Sequence, residues 1–187
     1  MNKQDHHRED PKAAVVHRLR SGLFNHSHPA DFDTVQWMGV QVLPSHQLHH
    51  VTLQEVSGQR WHFICFLKQR TNGSWQVKFN RGYPEQSFET YLALEATHDV
   101  PELRLQVGEN SLHEFLTGGI VIDKGFHVTS VHLVSRNGQV LQDTVHEGLV
   151  LYWTDKEVFL PLQAELYNAS GEIIGRHTVL NEPTYGI

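Results

Sequence analysis

One cysteine, Cys65, stands in 187 residues, so no internal disulfide can form and the small bridge-stapled secreted scaffolds are excluded. Cys65 sits inside the apolar run Phe63-Ile64-Cys65-Phe66-Leu67, which reads as a strand in a reducing compartment; a cytoplasmic location is the expectation. Long hydrophobic runs are also missing. This stretch and Leu149-Val150-Leu151-Tyr152-Trp153 are strand-sized, whereas a membrane helix needs about 20 apolar residues, so no membrane association is expected. The segment Met1–Asp10 has no apolar region of the secretory kind. Without one, the glycosylation patterns at Asn72-Gly73-Ser74 and Asn168-Ala169-Ser170 read as turns. A glycine-rich phosphate loop is lacking, because Gly118-Gly119 leads into the strand-like Ile120-Val121-Ile122. Cys65 has no resolving partner, which removes thiol redox chemistry.

An excess of positive charge is absent as well. Residues 1–99 carry ten Lys/Arg and ten Asp/Glu, while residues 100–187 carry five and eleven, so the whole net charge of −6 lies in the second half. An acidic half argues against nucleic acid as a partner. What the chain does have is enough apolar residues, 39%, to build real cores. It is also rich in histidine: fifteen are present, and protonating them all would turn the net charge positive, so surface charge should depend strongly on pH.

Two modules are expected, 1–99 and 100–187. In the first, a helix is predicted near 11–24, with Asp10 as cap, Pro11 in the first turn, and Ala14, Val15, Leu19 and Phe24 near one face. Residues 31–37 are compatible with a helix or with the approach to a strand over 38–43, and residues 87–96 with either state. A meander over 49–80 follows, turning at Ser57-Gly58 and Asn72-Gly73. Reading both as two-residue turns pairs Glu55 with Arg60, Leu53 with His62, Val51 with Ile64, Lys68 with Val77 and Phe66 with Phe79. That register puts Val51, Leu53, His62, Ile64, Phe66, Trp75, Val77 and Phe79 on a helix-covered face. It leaves Trp61, Phe63, Cys65 and Leu67 as an apolar ridge with a polar rim on the back, an interface candidate for the second module or a second copy of the chain.

From Pro101 the pattern is all-β. Leu103, Leu105 and Val107 alternate with polar residues, Asn137-Gly138 marks a hairpin, and residues 158–166 keep a period of two, with Pro161 suggesting an edge strand or bulge. The expected class is mainly β: an α+β module with a helix on a curved antiparallel sheet, then an all-β sandwich. In architecture the first module resembles helix-plus-curved-sheet folds of the cystatin and NTF2-like type. The second is similar in strand rhythm to immunoglobulin-like and transthyretin-like sandwiches. These likenesses rest on element pattern, without diagnostic motifs.

Three chemistries are worth locating. His62, expected on the covered face, could line a ligand pocket with His17, Trp37 and Trp75. Metal ligation is suggested by His26 with His28, and by His46 with His49 and His50; the helical His-Glu-x-x-His pattern is absent, and neighbours such as His49 and His50 point to opposite faces of a strand. With a two-residue turn at Asn137-Gly138, His132 pairs with Asp143 and Ser130 shares their face, which resembles part of a triad but lacks a nucleophile elbow. No cofactor and no catalytic residue is assigned. The expectation is a non-catalytic binding or assembly protein, acting through sheet surfaces on itself, as a homodimer, or on another protein. The alternative is a pocket protein or enzyme holding a small molecule near His62.

Overall fold

The computed structural model describes residues 10–22, 29–93, 100–111 and 114–181. Among the described residues the chain is mainly β with two helices, and it divides into two compact units, Met1–Ala93 and Leu94–Ile187. Among the described residues no helix is long and apolar enough to cross a membrane.

The first element among the described residues of unit 1 is α1 (Pro11–Gly22). Asp10 caps it: Oδ1 accepts from the Lys12 amide at 3.0 Å, and the Asp10 carbonyl accepts the first helical bond from Ala14 at 3.1 Å. Val15 and Leu19, one turn apart, are fully buried, and each contributes roughly 1.5–3 kcal/mol by leaving water. Four antiparallel strands follow in meander order: β1 (Ala30–Leu43), β2 (His46–Glu55), β3 (Arg60–Gln69) and β4 (Trp75–Pro84). Residues 31–37 are strand, with the ladder interrupted between Asp31 and Gln36, where Thr34 Oγ1 accepts from the Gln54 amide at 2.9 Å. Directly after β4 comes α2 (Glu85–Ala93), so the ambiguous stretch near 87–96 is helical as far as Ala93.

The register is where the structure departs from expectation. A two-residue hairpin turn of the primed type needs φ > 0 at both central residues or a leading glycine. In Ser57-Gly58, Asn72-Gly73 and Asn137-Gly138 only the glycine is positive, at 95°, 82° and 83°. Each is therefore a three-residue loop, a type I turn closed by a left-handed glycine bulge. Gly58 N donates to Glu55 O and Glu55 N to Gln59 O; the same two bonds recur at Arg70–Ser74, Ser135–Gln139 and Asn168–Glu172. The pairs become Gln54–Arg60, Leu53–Trp61, Thr52–His62 and Val51–Phe63. Phe66–Phe79 stands, but a bulge that leaves Lys78 unpaired gives Leu67–Val77 and Lys68–Gln76 beyond it.

A one-residue slip turns a strand over. Trp61, Phe63, Cys65 and Leu67 are therefore not an open ridge. They form the core beneath α1 with Val15, Leu19, Val51, Leu53, Trp75 and Val77, and Phe63, Cys65 and Leu67 are at most 1% exposed. His62, Ile64 and Phe66 point to the opposite face, where Ile64 and Phe66 are buried in their turn.

The described residues of unit 2 form a sandwich of seven strands. β5 (Glu102–Asn110), β6 (Phe115–Ile122) and β9 (Leu149–Thr154) make one sheet in that order. β7 (Ser130–Ser135), β8 (Val140–Thr144), β10 (Leu162–Tyr167) and β11 (Ile173–Leu180) make the other, ordered β11-β10-β7-β8. Compared with an immunoglobulin constant-type sandwich, the fourth strand pairs with the third instead of the fifth. Alternate residues of both sheets meet in one core, with Leu103, Phe115, Val131, Leu133, Val150, Tyr152, Leu162, Ala164 and Leu166 among its members. Pro161 immediately precedes β10, a central strand, rather than marking an edge; a proline there costs no ladder bond.

Candidate functional site

The α1 face that does not reach the core leans over the edge strand β4 and leaves a cleft of about 490 Å³. From α1 come Ala13, Ala14, His17, Arg18 and Ser21, residues that recur at helical spacing along one side. From the β3–β4 loop come Arg70 and Ser74, and from β4 Trp75, Gln76 and Val77. Small alanines on the helix opposite Trp75 and Val77 explain the opening: no helical side chain there is long enough to fill it.

Charge in the cleft has one sign. Among the described residues no carboxylate lines it. Arg18 donates through Nε to Asn80 Oδ1 at 3.4 Å, and Arg70 through Nε to Gln76 Oε1 at 3.2 Å, so both guanidiniums are aimed by neutral amides and, among the described residues, meet no carboxylate. The hydroxyls are committed elsewhere: Ser21 Oγ donates to the Arg18 carbonyl and Ser74 Oγ to Asn72 Oδ1.

Of the four residues expected to share a pocket, the cleft brings together two, His17 and Trp75. Trp37 lies outside it, edge-on to His49 with centroids 5.4 Å apart and with the Lys12 ammonium 5.0 Å from its ring. His62 is on the opposite face of the sheet, because of the register shift. There it stacks on Phe88 of α2 at 4.1 Å and 12°, and its Nδ1 lies 3.0 Å from His50 Nε2. Burial, reinforced by the neighbouring His62 charge, lowers the His50 pKa to about 4. His62 is lowered too, by burial first, with Glu85 and Glu89 opposing and Arg60 assisting. This imidazole pair is a neutral hydrogen-bonded packing element beneath α2.

The metal candidates separate in the same way. His46 is buried with Nδ1 3.0 Å from Ser45 Oγ, His49 lies under α1, and His50 is on the other face; His26 and His28 fall outside the described residues. Among the described residues no three potential ligands converge. The triad-like group also disperses. His132 pairs with Gln142 and rests on Tyr167 at 4.3 Å, whereas Asp143 pairs with Val131 and accepts from the Leu151 amide at 2.8 Å.

Sequence reading missed the two arginines. Arg70 was legible only as a residue at a turn, and Arg18 as a solvated helix position; that they flank one opening depends on where α1 docks. No protein-family model matches this chain, and no curated protein or solved structure matches it significantly.

Proposed function

We propose that this chain is a binding protein whose first unit holds a small ligand in the cleft between α1 and β4. The observation that carries this reading is the cleft itself: its volume is within the range of about 300–1,000 Å³ of small-molecule sites, and an aromatic and aliphatic floor meets a few polar groups there. Binding is favoured over nucleophilic catalysis because, among the described residues, both lining hydroxyls donate to other acceptors, Ser21 to the Arg18 carbonyl and Ser74 to Asn72. Burial of the single cysteine supports a reducing, cytoplasmic setting.

A thermal-shift screen of small molecules on the full chain, with hits confirmed by calorimetry, tests the reading. Ser21→Trp and Gln76→Trp place bulk at two exposed positions on opposite walls and should each abolish binding of the hits. Hits that bind both variants as tightly as the wild type would place the ligand elsewhere.

Self-association is a second reading, favoured by one observation. Among the described residues β1 pairs only with β2, and this edge strand carries Met38 and Val42, 50% and 57% exposed. Light scattering of wild type and Val42→Lys decides it: a dimer that the lysine converts to monomer supports the reading, and a wild-type monomer ends it.

A further inference from the structure

The cleft's charge and shape say more than that something small fits. Resting on the binding reading above, we infer that the ligand is an organic oxyanion, a carboxylate or phosphate monoester carried on a flat apolar body.

The argument begins with what Arg18 and Arg70 lack. Each spends only Nε, on a neutral amide oxygen, and neither has an ion pair among the described residues. Each therefore keeps terminal N–H donors for an incoming group. Guanidinium donors in a planar fork match the paired oxygens of a carboxylate or phosphate. Arg18 comes from α1 and Arg70 from the β3–β4 loop, so two separate elements bring their donors to one cleft. Trp75, partly exposed, lines the same cleft, and its indole N–H meets no acceptor among the described residues. Trp75, Val77 and Ala14 present the apolar surface on which a flat body rests. A cationic ligand would meet two guanidiniums with no carboxylate to offset them. A neutral one would gain nothing from the charge of either guanidinium.

Three probes that share one body separate the possibilities: 2-naphthoate, 2-naphthyl phosphate and the neutral isostere 2-naphthamide, titrated calorimetrically into the full chain. At least one anion should bind, weakening as sodium chloride is raised, with the amide at least tenfold weaker; the tighter anion identifies the head group. Arg18→Gln and Arg70→Gln, both at exposed positions, should each weaken the anion by about tenfold and leave the amide unchanged. Equal affinity for amide and anions, or anion binding unchanged in both variants, overturns the inference. In that event Ser21→Trp tells the two levels apart. Loss of amide binding in this variant means that the cleft binds but not through charge, and no loss means that the cleft reading fails as well.

Discussion

Lowering the pH from 7.5 to 4.5 sets the docking of α1 against the protonation of His49. This imidazole is 1% exposed on the α1 face of β2, donating through Nε2 to Gln47 Oε1 at 2.7 Å, with Nδ1 meeting no partner among the described residues. Burial lowers its pKa from 6.5 to about 4; the Lys12 ammonium assists and Asp10 opposes. In the unfolded chain the same group takes its proton near pH 6.5. Between those two values the unfolded chain binds more protons, so stability falls as the pH falls. Above pH 6.5 both forms are neutral and the contribution is flat; below pH 4 the loss is complete. At about 1.4 kcal/mol per pH unit, His49 alone removes about 3 kcal/mol across the window. His50, also lowered to about 4, adds its own loss in the same direction. His49→Gln cannot titrate, so its stability should drop less between pH 7.5 and 4.5 than that of the wild type, by about 3 kcal/mol. Urea denaturation followed by tryptophan fluorescence reads this, because Trp37, Trp61 and Trp75 lie in unit 1 and only Trp153 in unit 2. Equal acid losses in the two proteins would refute the reasoning, as would a ring-proton titration of His49 centred near 6.5.

Three further outcomes follow from the packing. Leu19→Ala removes a fully buried contact between α1 and the sheet and should cost roughly 2–5 kcal/mol by denaturant titration, with unit 1 the part affected in hydrogen exchange. Cys65 is fully buried and burial pushes its thiol pKa up to about 12, so a thiol reagent should leave the native protein unlabelled by intact mass and modify it once in denaturant. Two glycine substitutions should differ in degree. Gly119→Ala drives a methyl into the Arg104 carbonyl of β5 and should cost about 3 kcal/mol or more, whereas Gly138→Ala points into open space and should cost only about 1–2 kcal/mol for its left-handed backbone. Equal losses of thermal stability would contradict this.

Element type was legible where local chemistry decides it, which it did not over 31–37, a strand, or from residue 87 to Ala93, a helix. Pro11 after Asp10 starts a helix, and Ser-Gly or Asn-Gly between β-branched runs starts a hairpin. The number of residues in each turn was not legible. It depends on the sign of φ at Ser57, Asn72 and Asn137, and these residues stay in the ordinary right-handed half of the map while the glycine alone crosses over. That single choice, made the same way in each hairpin, turns β3 over against β2, moves Phe63 and Cys65 beneath α1, and pairs His132 with Gln142 instead of Asp143. The Lys78 bulge then reverses β4 beyond Val77, which is why Phe66–Phe79 agreed with expectation while Lys68–Val77 did not.

The histidine surplus takes a different meaning from this geometry. A strand that alternates its side chains cannot gather His46, His49 and His50 around one ion, and β2 instead delivers His49 beneath α1 and His50 against His62 and Phe88 on the other face. Buried neutral imidazoles thus stand on both faces of the same sheet. Each can accept or donate a hydrogen bond in a confined space, and each loses its place when protonated. The wall of the cleft that carries Arg18 is the helix that covers His49, so the proposed ligand capture and the acid sensitivity would meet in α1. A ligand that bridges Arg18 to Arg70 binds only with α1 in place. By linkage it offsets the acid loss that His49 promotes, adding the same stabilisation between pH 6.5 and 4 as at pH 7.5, because His49 in the folded chain stays neutral down to about 4.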